Sequence, residues 1–157
     1  MDFLGVRISK EGATIDPAKV SGLREYPTKL KDLRQVQGFL EVAGYHQMFC
    51  KDFSIIAAPL MALTGKNIPF EWGPKQKAAQ QEIIKRITNP PILVKPDPEK
   101  QFELEVDASQ IGTGAILYQR DPPIECTDGT KKSGPQRPVG FYSQKFLTTE
   151  QNYPIYD

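Results

Sequence analysis

The spacing of apolar residues changes near residue 91, and this change constrains the fold more than any other feature. From Leu33 to Ala43 apolar residues recur at intervals of three and four, the period of a helix with one apolar face. From Phe102 to Val106 apolar and acidic residues alternate strictly, which is the period of a half-buried strand. The sequence therefore predicts an α+β fold in which a helical segment precedes a sheet.

Turn residues divide the first part of the chain into a hairpin and helices. Residues 3–9 and 13–15 flank a Lys-Glu-Gly turn and predict a β-hairpin. Asp16 followed by Pro17 is typical of a helix start, and this first helix must end near Tyr26 because a proline follows.

Three more helices and three strands are expected. We place helices over about 30–49, over a segment capped by Ser54 that contains Pro59, and over about 74–88. Strands are expected at 102–106, 112–118 and 139–143, and the polar, Pro/Gly-rich stretch 121–136 is expected to be a loop without regular structure.

Composition narrows the class of protein. The chain has 20 basic and 19 acidic residues and is 39% hydrophobic, as in globular proteins, and no apolar run approaches the 18 or so residues of a membrane span. Residues 1–90 carry 13 basic and 9 acidic side chains, whereas 91–157 carry 7 and 10. A phosphate-binding half beside a cation-binding half would show this asymmetry, and so would scattered surface charge. Cys50 and Cys126 are too isolated for a disulfide framework or a zinc site.

A series of short motifs gives the chain a family resemblance. In order they are Phe3-Leu4-Gly5, Asp16-Pro17-Ala18-Lys19-Val20, Gly38-Phe39-Leu40, Ala43-Gly44-Tyr45, Phe70-Glu71-Trp72, Phe102 to Ser109 (FELEVDAS), Gly112-Thr113-Gly114-Ala115 and Glu150-Gln151-Asn152-Tyr153. Each tetrapeptide is weak evidence, but the ordered series resembles the reverse transcriptase/RNase H region of Ty3/gypsy-type LTR retrotransposon pol polyproteins.

The resemblance implies three parts. Residues 1–15 would be the end of the palm with its primer-grip β-hairpin, 16–90 a small helical thumb bundle, and 91–157 the N-terminal part of a truncated, incomplete RNase H-like mixed sheet. The family's catalytic glutamate would follow Asp157, and its polymerase Tyr-x-Asp-Asp motif would precede Met1. The loop at 121–136 is longer than the family pattern.

The same resemblance assigns roles to individual residues. Asp107 would be the first metal ligand of an RNase H site, which holds two Mg²⁺ ions. Glu103 and Glu105 are expected from their alternation with apolar residues to form a solvated face beside it. The primer grip would comprise Phe3, Leu4 and Gly5. Plausible phosphate contacts are Lys29, Lys31, Arg34, Lys51 and Lys66. Gly38 and Gly44 fit either close approach to a minor groove or close helix–helix packing.

The expected partners are an RNA/DNA hybrid, a template–primer duplex and the rest of the pol polyprotein, with no membrane. The location would be intracellular, in a cytoplasmic virus-like particle or the nucleus. One carboxylate does not make a metal site, so we expect no cleavage by this chain alone. The alternative function is a non-catalytic nucleic-acid-binding module, either connection-like or domesticated.

Overall fold

The N-terminal hairpin is present, but its predicted first strand, residues 3–9, is interrupted by a turn at Leu4 and Gly5, both of which have a left-handed backbone. The computed structural model describes residues 2–147 and 150. Strand β1 (Asp2–Phe3) pairs antiparallel with β2 (Val6–Ile8), which pairs with β3 (Ala13–Ile15). Ala13 and Leu93 exchange two backbone hydrogen bonds of 2.7 and 2.8 Å. The hairpin is therefore tied to the segment that leads into the sheet.

Two of the predicted helices begin at aspartate caps. Helix α1 (Pro17–Arg24) starts after Asp16, whose carboxylate accepts from the Ala18 N–H at 3.1 Å. Helix α2 (Leu33–Tyr45) starts after Asp32, which accepts from the Gln35 N–H at 2.9 Å. Because Asp32 satisfies a free N–H of the first turn, α2 begins later than predicted, and a 3₁₀ turn (Gln47–Phe49) follows it.

The predicted third helix is wrong in its cap and its continuity. The segment forms two short helices, α3 (Phe53–Ile56) and α4 (Ala58–Ala62), with a break at Ala57. Pro59 lies in the first turn of α4, where its missing N–H costs nothing, whereas inside one long helix it would leave a carbonyl unpaired. Ser54 does not cap a helix, because its hydroxyl donates to the Ser143 carbonyl at 3.0 Å.

Helix α5 (Pro74–Thr88) confirms the last helical prediction and closes the core. Its N-terminus is held by the Gln76 side-chain oxygen, which accepts from the Gly73 N–H at 2.9 Å. The large aliphatic and aromatic side chains that are fully buried lie on β3, on helices α1, α2, α4 and α5, and at two positions between elements: Ile15, Leu23, Val36, Phe39, Leu60, Ile83 and Ile87, with Leu30 and Leu93. None of the helices in the described part of the chain is long and apolar enough to cross a membrane.

The C-terminal sheet has three antiparallel strands in the order β4-β5-β8. They are β4 (Phe102–Ala108), β5 (Gly112–Arg120) and β8 (Gln136–Lys145), each longer than predicted. The stretch between β5 and β8 is not wholly irregular, because β6 (Ile124–Glu125) and β7 (Lys131–Lys132) pair across a turn. That prediction is corrected: hydrogen bonds from Thr130 to Asp128 order the turn in a stretch without apolar periodicity.

The two faces of this sheet have different surroundings. On one face, Gly114 lies between Asp107 and Ser143, and this face contacts α3. The opposite face exposes the apolar side chains Phe102, Leu104, Val106 and Tyr142. The α+β class was predicted correctly, while the domain limits of 1–15, 16–90 and 91–157 stay a prediction. Gln151, Asn152 and Tyr153 of the resemblance lie outside the described residues.

Candidate nucleic-acid interface

The turn between β1 and β2 places two residues in the left-handed backbone region. Leu4 has φ 50° and Gly5 has φ 82°. Gly5 is buried, and its carbonyl accepts from the Asp16 N–H at 3.0 Å. A methyl group at position 5 would lie 3.3 Å from Lys19 Cγ. Glycine is therefore favoured both by the backbone angle and by the close side chain, while Leu4 projects outward with 69% of its surface exposed.

The end of α2 packs directly on this turn. The Tyr45 hydroxyl donates to the Leu4 carbonyl at 3.3 Å, and the Tyr45 ring meets His46 edge-on at 5.2 Å. His46 is buried, and burial lowers the pKa of its imidazole. A cavity of about 740 Å³ opens here, lined by Leu4, Gly5, Asp16, Lys19, Glu41, Val42, Tyr45 and His46. The turn and the helix thus form one continuous surface.

The outer face of α2 extends that surface toward its N-terminus. Arg34, Gly38 and Tyr45 are spaced by four and seven residues, so they lie on the face opposite the buried Val36 and Phe39. At Gly38 an added methyl group would meet only the Tyr26 hydroxyl, at 3.8 Å, and at Gly44 it would meet nothing within 4 Å. Close helix–helix packing inside the described chain therefore does not require either glycine.

The predicted phosphate contacts do not all share this surface. Lys29, Lys31 and Arg34 are exposed just before and within the first turn of α2, where the Lys31 N–H donates to Gln35 Oε1 at 2.8 Å. Lys66 is exposed on the loop after α4. Lys51 lies elsewhere, at the junction of the helical segment with the sheet. The structure therefore groups Arg34 and Gly38 with the turn and separates Lys51 from them.

Asp107 lies in a cleft between the edge strand and the helical segment. It is exposed on β4 and lines a hollow of about 250 Å³ together with Lys51, Asp52, Glu105 and Gly114. The Asp52 carboxylate lies above Gly114, where an added methyl group would collide with its Oδ1. The cleft therefore brings a carboxylate of the helical segment to the face of the sheet that carries Asp107.

Glu105 and Asp107 are exposed, as expected of a solvated face, whereas Glu103 is half-buried. Glu103, Glu105 and Asp107 do share one side, but at β5 and β8 that side is covered by α3. Glu103 accepts from Arg120 Nε at 2.5 Å and from Gln136 Nε2 at 2.7 Å, and these hydrogen bonds lower the pKa of its carboxyl. Among the described residues no group of three or more His, Cys, Asp or Glu side chains could hold a metal ion. Asp107 and its described neighbours therefore do not by themselves fit a two-metal site.

Comparison with known proteins identifies the family. Residues 72–157 match the family model described as the RNase H-like domain found in reverse transcriptase. The chain belongs to this family. It is 35% identical over 148 residues to the Pol polyprotein from transposon gypsy of Drosophila melanogaster, and 32% identical over 157 residues to the Tf2-3 polyprotein of Schizosaccharomyces pombe. The Ty3/gypsy-type resemblance is therefore confirmed.

These relatives are much longer than the chain. The alignments cover 87% and 99% of this chain, but only 14% of the gypsy polyprotein and 11% of the Tf2-3 polyprotein. Solved structures of the foamy viral protease-reverse transcriptase are similar in fold. The complex with an RNA/DNA hybrid and the dRH form with double-stranded DNA each align at a TM-score of 0.75 and 20% identity. Both alignments cover 98% of this chain. They cover 19% of the foamy viral chain in the hybrid complex and 25% of the chain in the complex with double-stranded DNA.

Sequence reasoning missed two residues of these surfaces. Tyr45 was part of a motif but received no role, although an exposed tyrosine four residues after Glu41 lies on the outer face of α2. No feature of the sequence indicated that Asp52 would lie near Asp107. Its position over Gly114 depends on a left-handed backbone (φ 58°) and on a contact between segments more than 60 residues apart, and neither can be read from local spacing.

Proposed function

We propose that this chain is the part of a retrotransposon reverse transcriptase/RNase H that grips the template–primer duplex and supplies Asp107 as the first metal-binding carboxylate for RNA-strand hydrolysis. The observation that carries the gripping role is the packing of Tyr45 on the Leu4–Gly5 turn. It joins the proposed primer grip and the outer face of α2 into one continuous surface. Solved proteins of similar fold were captured with double-stranded DNA and with an RNA/DNA hybrid.

The gripping role would use the backbone of the duplex and not its bases. Lys29, Lys31 and Arg34 would contact phosphates, and Gly38 would let the phosphate backbone approach the helix closely. Phe3 pairs with Val6 through its backbone, so the primer grip would present a main-chain turn with Leu4 at its tip. Such contacts carry no sequence preference, as an enzyme that copies any template requires.

Duplex binding as a function of salt tests this role. Each lost phosphate contact should reduce the slope of log K against log salt by about 0.9. Arg34→Gln should show this reduction, whereas Lys132→Gln on the β6–β7 hairpin, which lines none of the described cavities, should keep the slope of the unsubstituted chain. Equal slopes for the chain and for a triple Lys29→Gln, Lys31→Gln, Arg34→Gln variant would refute the gripping role.

The hydrolytic role concerns Asp107 in the complete enzyme. Asp107 would contribute one ligand oxygen to bound Mg²⁺, and further carboxylates would be required to complete the site. The chemistry that the metal would supply there is the activation of water for hydrolysis of the RNA strand. Asp107→Asn in a longer Pol polyprotein should abolish cleavage of a hybrid while leaving duplex affinity unchanged. The 157-residue chain should bind without cutting, and hybrid-specific cutting by it would contradict this assignment.

A second candidate is a non-catalytic nucleic-acid-binding module, connection-like or domesticated. Retention of full hybrid cleavage by the Asp107→Asn polyprotein would support it. For both candidates we propose an intracellular location, in a cytoplasmic virus-like particle or the nucleus.

A further inference from the structure

A short stretch of backbone connects the N-terminal sheet to the C-terminal sheet. Strand β3 lies at the edge of the first sheet and β8 at an edge of the second. Between them, Leu93 exchanges two backbone hydrogen bonds with Ala13 of β3, and the Val94 N–H donates to the Pro138 carbonyl of β8 at 2.9 Å. Gly12 permits this approach, because an added methyl group there would collide with the Leu93 carbonyl oxygen. We call Leu93 and Val94 the bridge segment.

The bridge segment completes a backbone path between the two proposed functional sites. At one end of the path, the Leu4–Gly5 turn joins β1 to β2, and β2 pairs with β3. At the other end, β8 pairs with β5, and Gly114 of β5 pairs with Asp107 of β4. Backbone hydrogen bonds are short and directional, so they resist the sliding of one strand past its neighbour. The path therefore holds Asp107 at one distance from the proposed primer grip.

The chain between the bridge segment and β4 is held at a further point. Leu93 is 2% exposed and lies in the hydrophobic core. The Asp97 N–H donates to Gln119 Oε1 at 2.9 Å, and Gln119 Nε2 donates back to the Asp97 carbonyl at 2.8 Å. The exposed residues 95–96 lie between these two fixed points. Two residues held at both ends are too few to act as a hinge for the sheet.

A second connection lies on the covered face of the sheet. Ser54 of α3 and Ser143 of β8 are both buried and share two hydrogen bonds. On the same strand, Phe141 packs against the hydrophobic core of the helical segment. Strand β8 is thus held at Pro138 by the bridge segment and at Ser143 by α3. Because these two points are separate, neither of them can serve as a pivot alone.

We propose that Leu93 and Val94 are positioning residues that hold the sheet at one separation from the primer-grip hairpin, and that this separation determines which phosphodiester of the RNA strand reaches Asp107. The inference rests on the proposed function and adds a determinant of the cutting position to it. One nucleotide corresponds to about 3 Å along a duplex, so a relative movement of about that distance would move the cut by one position. A hinge between the two parts would spread the cuts over several positions.

A distance measurement between two spin labels tests the fixed separation without any catalysis. The labels are attached to Glu41→Cys in α2 and Leu104→Cys in β4, two exposed positions, in a Cys126→Ser background in which Cys50 is buried. The labelled 157-residue chain should give one narrow distance distribution. A broad distribution, or two separate distances, would overturn the inference.

Two further variants of the labelled chain test the role of the bridge segment. Val94→Pro removes the N–H that donates to β8, and combined with Ser143→Ala it should broaden the distance distribution. One glycine inserted between Lys95 and Pro96 is the matched control. It should leave the distribution narrow, because this exposed stretch lies between two fixed points and can bulge outward. If the insertion broadens the distribution, linker length and not the bridge segment sets the separation, and the inference is overturned even where the double variant does not fold.

Mapping of the RNA cuts made by a longer Pol polyprotein tests the consequence for function. On a hybrid with a recessed primer end, the unsubstituted polyprotein should cut at one preferred distance from that end. The Val94→Pro, Ser143→Ala variant should spread the cuts by about one nucleotide or more, whereas the glycine insertion should not. Partial unfolding would reduce the amount of product without moving the cut, so the cut position separates positioning from stability.

The outcomes of this mapping distinguish the two proposals. Unchanged cut positions in the double variant would overturn the role of the bridge segment and leave the proposed function standing. A complete lack of hybrid cleavage by the unsubstituted polyprotein would overturn both proposals together.

Discussion

The two buried serines that join α3 to β8 allow a sharp prediction. Ser54 and Ser143 are exposed by only 7% and 9%, and they are linked by two hydrogen bonds that differ in kind. The Ser54 backbone N–H donates to the Ser143 hydroxyl at 2.8 Å, and the Ser54 hydroxyl donates to the Ser143 carbonyl at 3.0 Å. Ser143→Ala therefore removes an acceptor, whereas Ser54→Ala removes a donor.

The two substitutions should differ in cost. Ser143→Ala leaves a buried backbone N–H without its partner, which costs about 1–3 kcal/mol. Ser54→Ala removes one hydrogen bond from a side-chain hydroxyl to a backbone carbonyl oxygen, which costs about 0.5–1.5 kcal/mol. The cost is smaller because a carbonyl oxygen can accept a second hydrogen bond with its other lone pair. Since 1 kcal/mol shifts the unfolding temperature of a chain of this size by about 2–4 °C, the mid-range cost of about 2 kcal/mol for Ser143→Ala should lower that temperature by about 4–8 °C. The mid-range cost of about 1 kcal/mol for Ser54→Ala should lower it by about half as much.

Thermal unfolding followed by circular dichroism measures these shifts, and hydrogen exchange at the Ser54 amide reports the bond directly. Ser21→Ala is the matched control, because its hydroxyl donates to the Ala18 carbonyl on an exposed helix surface and its loss should cost at most about 0.5 kcal/mol. The reasoning is refuted if Ser54→Ala costs more than Ser143→Ala, or if the Ser54 amide exchanges at the same rate in both variants.

Three other substitutions or titrations test single features. Gly44→Ala should raise the free energy of unfolding by up to about 1 kcal/mol, because alanine favours a helix and its methyl group would meet no other atom. The same substitution should weaken duplex binding if the nucleic-acid backbone approaches the helix at this position. A gain in both stability and duplex affinity would exclude such an approach. Burial lowers the pKa of His46, so the neutral form is favoured on folding. The stabilisation that comes from neutral His46 should be fully present above the pKa of the unfolded chain, about 6.5, and should be lost as the pH falls through the lower pKa of the folded chain. Urea titrations at several pH values measure this loss, and His46→Gln should abolish it. Burial also raises the pKa of Cys50 to about 11, so at pH near 8 a thiol reagent should label Cys126 alone until the chain unfolds.

The sequence was informative where local chemistry decides the structure. Asp16 with Pro17 marked the start of α1, and the alternation around Leu104 marked β4, because caps and pleats depend on neighbours in the chain. It was misleading at Ser54, since a serine before an apolar run caps a helix as readily as it bonds to a distant strand. Which of the two occurs depends on the approach of β8, about 90 residues away.

The surroundings of Asp107 depend on tertiary contacts that the alternation of residues along β4 does not predict. Alternation alone puts Glu105 and Asp107 on one face of β4 but does not say what covers that face. At the inner strand β5 the face is lined by small or apolar residues, Gly114 and Ile116, which allow α3 and Asp52 to pack closely. Strand β4 is the edge of the sheet, so its carboxylates lie beyond that covered patch. Asp107 is consequently both exposed and adjacent to the helical segment, which is the arrangement required if a bound strand is to touch both.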